Sequence, residues 1–127
     1  MENLHYGLTD IEFNLMRYFW NSDHHVPFHE IMEYTVKENY GWAQTTLHTY
    51  LTKLIKKGCL QSERKGYKRI YFPKLTEAQL AHRYAQSFVD HAFRGSITDF
   101  MVSFTSETPL SPNEVQELKD ILDKNVK

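Results

Sequence analysis

Residues 43–73 read AQTTLHTYLTKLIKKGCLQSERKGYKRIYFP, and this stretch decides the fold. Leu47, Leu51, Leu54 and Ile55 recur at three-to-four spacing, the apolar stripe of a helix from about Ala43 to Lys57. Gly58 is a C-terminal stop. Lys53, Lys56 and Lys57 lie near that end, where cations complement the helix dipole. Beyond it, Leu60–Arg64 and Lys68–Pro73 flank a Lys65-Gly66-Tyr67 turn, with Ile70 and Phe72 alternating with Arg69 and Tyr71. Two short runs around a glycine-containing turn predict a β-hairpin.

Working upstream, Thr9-Asp10-Ile11-Glu12 is a capping box. Its hydroxyl and carboxylate each satisfy a backbone N–H where a helix starts. Ile11, Leu15, Met16, Tyr18, Phe19 and Trp20 follow, giving a well-buried helix that ends near Asn21-Ser22-Asp23. His24-His25-Val26-Pro27 reads as a short extended link, because proline biases the preceding residue away from helix. Phe28, Ile31, Met32, Thr35 and Val36 predict a second helix to about Glu38, and Asn39-Tyr40-Gly41 a turn. Helix, helix, helix, hairpin is the order of a winged helix-turn-helix. The expected domain is residues 1–73.

Downstream of Pro73 the pattern changes to separate amphipathic helices. Thr76-Glu77-Ala78-Gln79 is a second capping box, followed by Leu80, Tyr84, Phe88 and Ala92 at four-residue spacing. Gly95-Ser96 breaks that helix. Ile97, Phe100, Met101 and Phe104 mark a fifth, and Ser111-Pro112-Asn113-Glu114 starts a sixth with Val115, Leu118, Ile121 and Leu122. About fifty residues cannot bury several apolar faces alone, so residues 74–127 are expected to be a helical dimerisation region. The fold class is therefore mainly α with a small β-hairpin wing, an α+β arrangement.

Composition narrows the function. At 41% apolar and 24% charged residues, usage is average, which argues against extensive disorder. No apolar run is long enough for a transmembrane helix, and Met1-Glu2-Asn3-Leu4-His5 lacks a signal-peptide pattern, leaving the cytoplasm as the default location. The single cysteine, Cys59, stands between apolar neighbours and reads as a small core residue. Net charge is −1, yet Gln44–Phe72 holds Lys53, Lys56, Lys57, Arg64, Lys65, Lys68 and Arg69 against Glu63 alone. That local +6, set in a chain that is otherwise −7, is the footprint of a compact nucleic-acid site.

If Leu47, Leu51 and Leu54 face the core, the opposite face of the third helix carries Thr45, His48, Thr49, Thr52 and Lys56, with Gln44 at its start. Such polar groups reach base edges and phosphates from a helix in the major groove. Lys65, Lys68 and Arg69 at the hairpin tip suit phosphate or minor-groove contacts. The seven histidines do not form a metal site on spacing: His24 and His25 are adjacent, Pro27 interrupts His25 and His29, and His82 and His91 face different sides. No Gly-x-Ser-x-Gly, phosphate-cradling glycine loop or His-Glu-x-x-His occurs, so neither a cofactor nor an enzymatic activity is expected. The alternative is a winged-helix protein–protein adaptor without specific DNA binding. It has no need of lysine and arginine on both helix and wing.

From about Leu8 to Lys124 the chain resembles the penicillinase and methicillin-resistance repressors, the BlaI/MecI type, and their copper-operon relatives. The resemblance rests on Leu8-Thr9-Asp10-Ile11-Glu12 with Trp20, on Trp42 through Gly58 (Thr45-Thr46 and Leu54-Ile55-Lys56-Lys57-Gly58 above all), and on the following hairpin. Gly95-Ser96, Phe100–Phe104 and Leu110-Ser111 through Leu122 extend it. It implies a repressor that binds palindromic double-stranded operator DNA as a homodimer. By that resemblance Gln44, Thr45, Thr46, His48, Thr49 and Lys53 contact DNA together with the wing, and Leu80 through Val126 form the dimer. Relatives governed by a β-lactam sensor are cleaved at an Asn-Phe bond. The matching cleavage position here is Ser103-Phe104, so that route is not expected to carry over, and an inducing protease or ligand is unidentified. The copper-responsive branch carries Cys-x-Cys pairs, absent from Asp123-Lys124-Asn125-Val126-Lys127, so copper sensing through such thiols is not expected.

Overall fold

The computed structural model describes residues 5–127. In chain order its elements are α1 (Asp10–Trp20), β1 (Val26–Pro27), α2 (Phe28–Lys37), α3 (Gln44–Lys56), β2 (Leu60–Lys65), β3 (Lys68–Pro73), α4 (Glu77–Phe93), α5 (Ile97–Glu107) and α6 (Pro112–Lys124). This is the mainly α, winged helix-turn-helix arrangement. The chain divides into two units, one ending at Ala85 and one running from Gln86 to Lys127.

Local chemistry explains the helix ends. The Thr9 hydroxyl accepts from the Glu12 N–H, and the Glu12 carboxylate accepts from the Thr9 N–H, so α1 starts on a complete capping box. Thr76 with Gln79, and Ser111 with Glu114, repeat the reciprocal pair at α4 and α6. At the end of α2, Asn39 takes φ +59°; the Tyr40 N–H reaches the Thr35 carbonyl and the Asn39 N–H that of Val36. Gly58, at φ +76°, ends α3 the same way, with Cys59 N–H on Leu54 and Gly58 N–H on Ile55. Both are Schellman closures, which need a residue that tolerates left-handed backbone.

The core lies in the first unit. Leu15, Met16 and Phe19 of α1, Ile31 of α2, and Leu47, Leu51 and Leu54 of α3 meet Cys59, Leu60 and Tyr71 from the hairpin. Several expectations change here. Val36 and Ile55 are 67% and 38% exposed, so neither belongs to its helix's inward stripe. Val26–Pro27 is more than a link: it pairs antiparallel with β3, Val26 opposite Tyr71, and the sheet order is β1-β3-β2. Successive residues on β3 point to opposite faces. Tyr71 therefore enters the helical core, while Ile70 and Phe72 face the other way, Phe72 stacking on His25 at 3.8 Å. Leu80, expected at a dimer surface, is fully buried in the first unit's core and has no surface left for a partner. The Trp20 indole N–H donates to the Leu75 carbonyl at 3.0 Å, so the chain beyond Pro73 is tied into the same unit.

The second unit is three helical segments with no fully buried residue. Phe88, Phe93, Phe100 and Phe104 form a chain of ring contacts 5.4 to 6.1 Å apart. Ile97, Val102, Ile121 and Leu122 are each more than half exposed, at 59%, 64%, 54% and 65%.

Candidate nucleic-acid interface

Because Leu47, Leu51 and Leu54 are buried, α3 is held with its opposite side outward. Gln44, Thr45, His48, Thr49, Thr52, Lys53 and Lys56 are exposed and Thr46 is half-buried. Five of them, His48, Thr49, Thr52, Lys53 and Lys56, line one shallow depression. The Thr49 hydroxyl donates to the Thr45 carbonyl at 3.0 Å, which leaves its oxygen free to accept from outside. His48 lies flat on Phe28 at 4.2 Å, so its ring bridges α3 to α2 while staying exposed.

The hairpin tip is more charged than its length suggests. Lys65 stands opposite Lys68 and Arg64 opposite Arg69, two like-charge cross-strand pairs in succession. Direct opposition of like charges destabilises a hairpin. All four are exposed, and among the described residues only Arg69 has a side-chain tie, a 3.0 Å hydrogen bond to the Ser62 hydroxyl. Gly66 has φ +66° and Tyr67 does not share that sign, the pattern of a two-residue type II′ turn.

One member of the basic run is paired with an acid. Lys57 Nζ lies 2.7 Å from Glu12 Oε1, the same carboxylate that caps α1. Burial pushes the Glu12 carboxyl up, but the hydrogen bonds from Lys57 and Thr9 outweigh it and hold the group below its ordinary value. Lys57 thus joins the end of α3 to the start of α1, and its charge faces a carboxylate. Sequence reasoning counted its charge because nothing local marks a carboxylate 45 residues away.

Among the described residues, no group of three or more histidine, cysteine or acidic side chains could hold a metal ion. Both nitrogens of His24 are engaged, with Asp23 at 2.8 Å and Glu30 at 2.7 Å; the Asp23 bond first, then Glu30, pushes the imidazole up. Cys59 is buried, with Arg83 Nη2 at 3.4 Å from its sulfur. No helix among the described residues is long and apolar enough to cross a membrane.

A helix with an outward polar face, a turn that sets it against α2, and a doubly paired cationic wing coincide with a match to the family model described as penicillinase repressor, which covers residues 8–124. The chain belongs to the penicillinase repressor family. Within reach of that family, the methicillin resistance regulatory protein MecI of Staphylococcus aureus strain N315 is 23% identical over 124 residues, 98% of this chain and 99% of that protein. The penicillinase repressor of Bacillus licheniformis is 26% identical over 118 residues, 93% of this chain and 91% of its own length. A 16.5 kDa protein of Latilactobacillus sakei is 23% identical over 115 residues, 91% of this chain and 77% of its own. The family match begins at Leu8, the first buried core residue among those described, and ends at Lys124, the last residue of α6.

Proposed function

We propose that this chain is a transcriptional repressor that binds a palindromic operator in double-stranded DNA as a homodimer and catalyses no reaction. The observation that carries the reading is the outward face of α3 beside a wing whose cations are paired with one another rather than with acids. Gln44, Thr45, Thr46, His48, Thr49 and Thr52 would read base edges from the major groove. Lys53, Lys65, Lys68 and Arg69 would neutralise phosphates and fix the register. Family membership supports a regulator over an enzyme.

The second unit supplies the dimer in this reading. Its apolar side chains have no interior within one copy, and pairing with an identical copy gives them one. Phe88, Phe100, Met101, Phe104, Leu118, Ile121 and Leu122 are the side chains to be covered, while Tyr84, one turn earlier on α4, belongs to the first unit. Ser103 and Phe104 stand mid-way along α5, both exposed. Induction by an unidentified protease or ligand would act there by separating the copies and removing bivalency.

Selecting bound fragments from a genomic DNA library, then sequencing them, tests the function. Recovery of a two-fold-related sequence is expected. Equal recovery of all fragments would favour the adaptor reading. Affinity for the selected site should fall about a thousandfold or more between roughly 50 and 200 mM salt if six to ten phosphates are contacted.

A further inference from the structure

Five aromatic rings run in unbroken contact across the helix-turn-helix. Tyr18 of α1 stacks on Tyr34 of α2 at 4.3 Å, and Tyr34 meets Tyr40 edge-on at 6.2 Å. Tyr40 lies 4.8 Å from Trp42, and Trp42 lies flat on Tyr50 of α3 at 4.6 Å and 9°. Lys53 Nζ closes the row 5.4 Å from the Tyr50 ring. All five rings are half-buried, and Tyr18, Tyr34, Trp42 and Tyr50 pack against the core.

The row spans the turn that leads into α3 and meets the helix past its N-terminus. Its N-cap is Ala43, which makes no side-chain capping bond. The turn before it carries two residues in the left-handed region, Asn39 and Gly41. Leu47, Leu51 and Leu54 fix one line along the helix, and a single line resists sliding better than it resists roll. At about 100° per residue, Tyr50 and His48 fall on opposite flanks of that line. His48 is stacked on Phe28 and Tyr50 on Trp42, so a ring contact braces α3 on each side.

We propose that Trp42 is a positioning residue for DNA reading: its stack on Tyr50 sets the roll of α3, and so the reach of Gln44, Thr45 and Thr49, while the Tyr50 ring holds Lys53 for phosphate. The inference rests on the DNA-binding reading above. Trp42 itself need not touch DNA. Offset or parallel ring stacks combine burial with orientation, which a branched aliphatic contact does not. The cation over the Tyr50 ring adds a directional tie to the one lysine of α3 that the row reaches.

The test uses the full chain and two duplexes of equal length, a selected site and a random sequence, in anisotropy titrations at several salt concentrations. Trp42→Ala and Tyr50→Leu are expected to lower the selected-to-random affinity ratio about tenfold, the scale of one lost base contact. The salt slope should change by at most about one. Trp42→Phe should restore most of the ratio while leaving the same thermal midpoint as Trp42→Ala or raising it. Folded variants that keep the wild-type ratio, or that weaken on both duplexes by one common factor, overturn the proposal. If Trp42→Ala does not fold, Tyr50→Leu, which keeps apolar bulk on α3, decides. A wild-type chain with no preference between the duplexes sinks the DNA-binding reading, and this inference with it; a wild-type preference retained by the variants sinks only this inference.

Discussion

Between Leu8 and Leu80 fourteen apolar side chains are buried, whereas from Gln86 to Lys127 none is. The two units have similar helical amphipathicity, so the difference is not one of sequence pattern. It is one of geometry: the first unit has α1 to α3, the start of α4 and a sheet to enclose a centre, the second only the end of α4, α5 and α6, which bury no side chain fully. An amphipathic stripe is a demand for burial, and only the first unit meets that demand within one copy.

Removing the second unit should produce the largest effect. A chain ending at Ala85 is expected to stay folded, become monomeric, and lose about a hundredfold to ten-thousandfold in operator affinity through lost bivalency. Light scattering and a binding titration check this. Cutting instead after Pro73 deletes Leu80 and the Leu75 carbonyl that Trp20 binds. That shorter chain should melt well below the longer one, since emptying a buried leucine site costs about 2–5 kcal/mol. Equal thermal midpoints for the two truncations would show that α4 is not part of the first unit's core.

Next come matched substitutions in the two units. Leu51→Ala should destabilise the first unit by about 2–5 kcal/mol, read by denaturant unfolding of the Ala85 truncation. Phe104→Ala, on a side chain 45% exposed, should leave that unit's stability alone and shift the full chain towards monomer in sedimentation. A fully dimeric Phe104→Ala protein that represses a reporter normally would remove α5 from the interface.

A smaller effect is expected at Glu12. Its folded carboxyl lies below the ordinary 4.5, so its contribution is present above that pH and fades as pH falls through the lower folded value. Stability of the Ala85 truncation should therefore drop in acid below about pH 4.5, and Glu12→Gln should flatten that part of the profile while costing about 1–2 kcal/mol at neutral pH. An unchanged acid limb would mean the Lys57–Glu12 bond is not what sets it. Smallest is Lys68→Ala, expected to weaken selected and random DNA alike and to reduce the salt slope by about one.

The local features were legible. Two capping boxes, the Ser-Pro start of α6, the inward stripe of α3 and the glycine turn of the wing each depend on residues a few positions apart, and the outward face of α3 follows once Leu47, Leu51 and Leu54 are known to point in. What escaped depends on distant partners. A two-residue strand at Val26–Pro27 exists only because Ile70 and Tyr71 lie beside it. Tyr71 rather than Phe72 enters the core because the sheet presents that face to the helices. Trp42 and Tyr50 belong to no common helical period, so their stack has no sequence signature. Lys57 looks like any surface lysine until Glu12 is placed beside it.

The opposed pairs Lys65–Lys68 and Arg64–Arg69 give the wing an unusual temperament. Closing this hairpin brings four cations together, so part of the energy released by strand pairing is held back as repulsion until a polyanion lies alongside. The tip of the free protein should breathe, and its amides should exchange with solvent faster than those at Leu60 or Pro73's strand neighbours near the base. Polyphosphate or duplex DNA should slow that exchange, tightening the tip around whatever it grips.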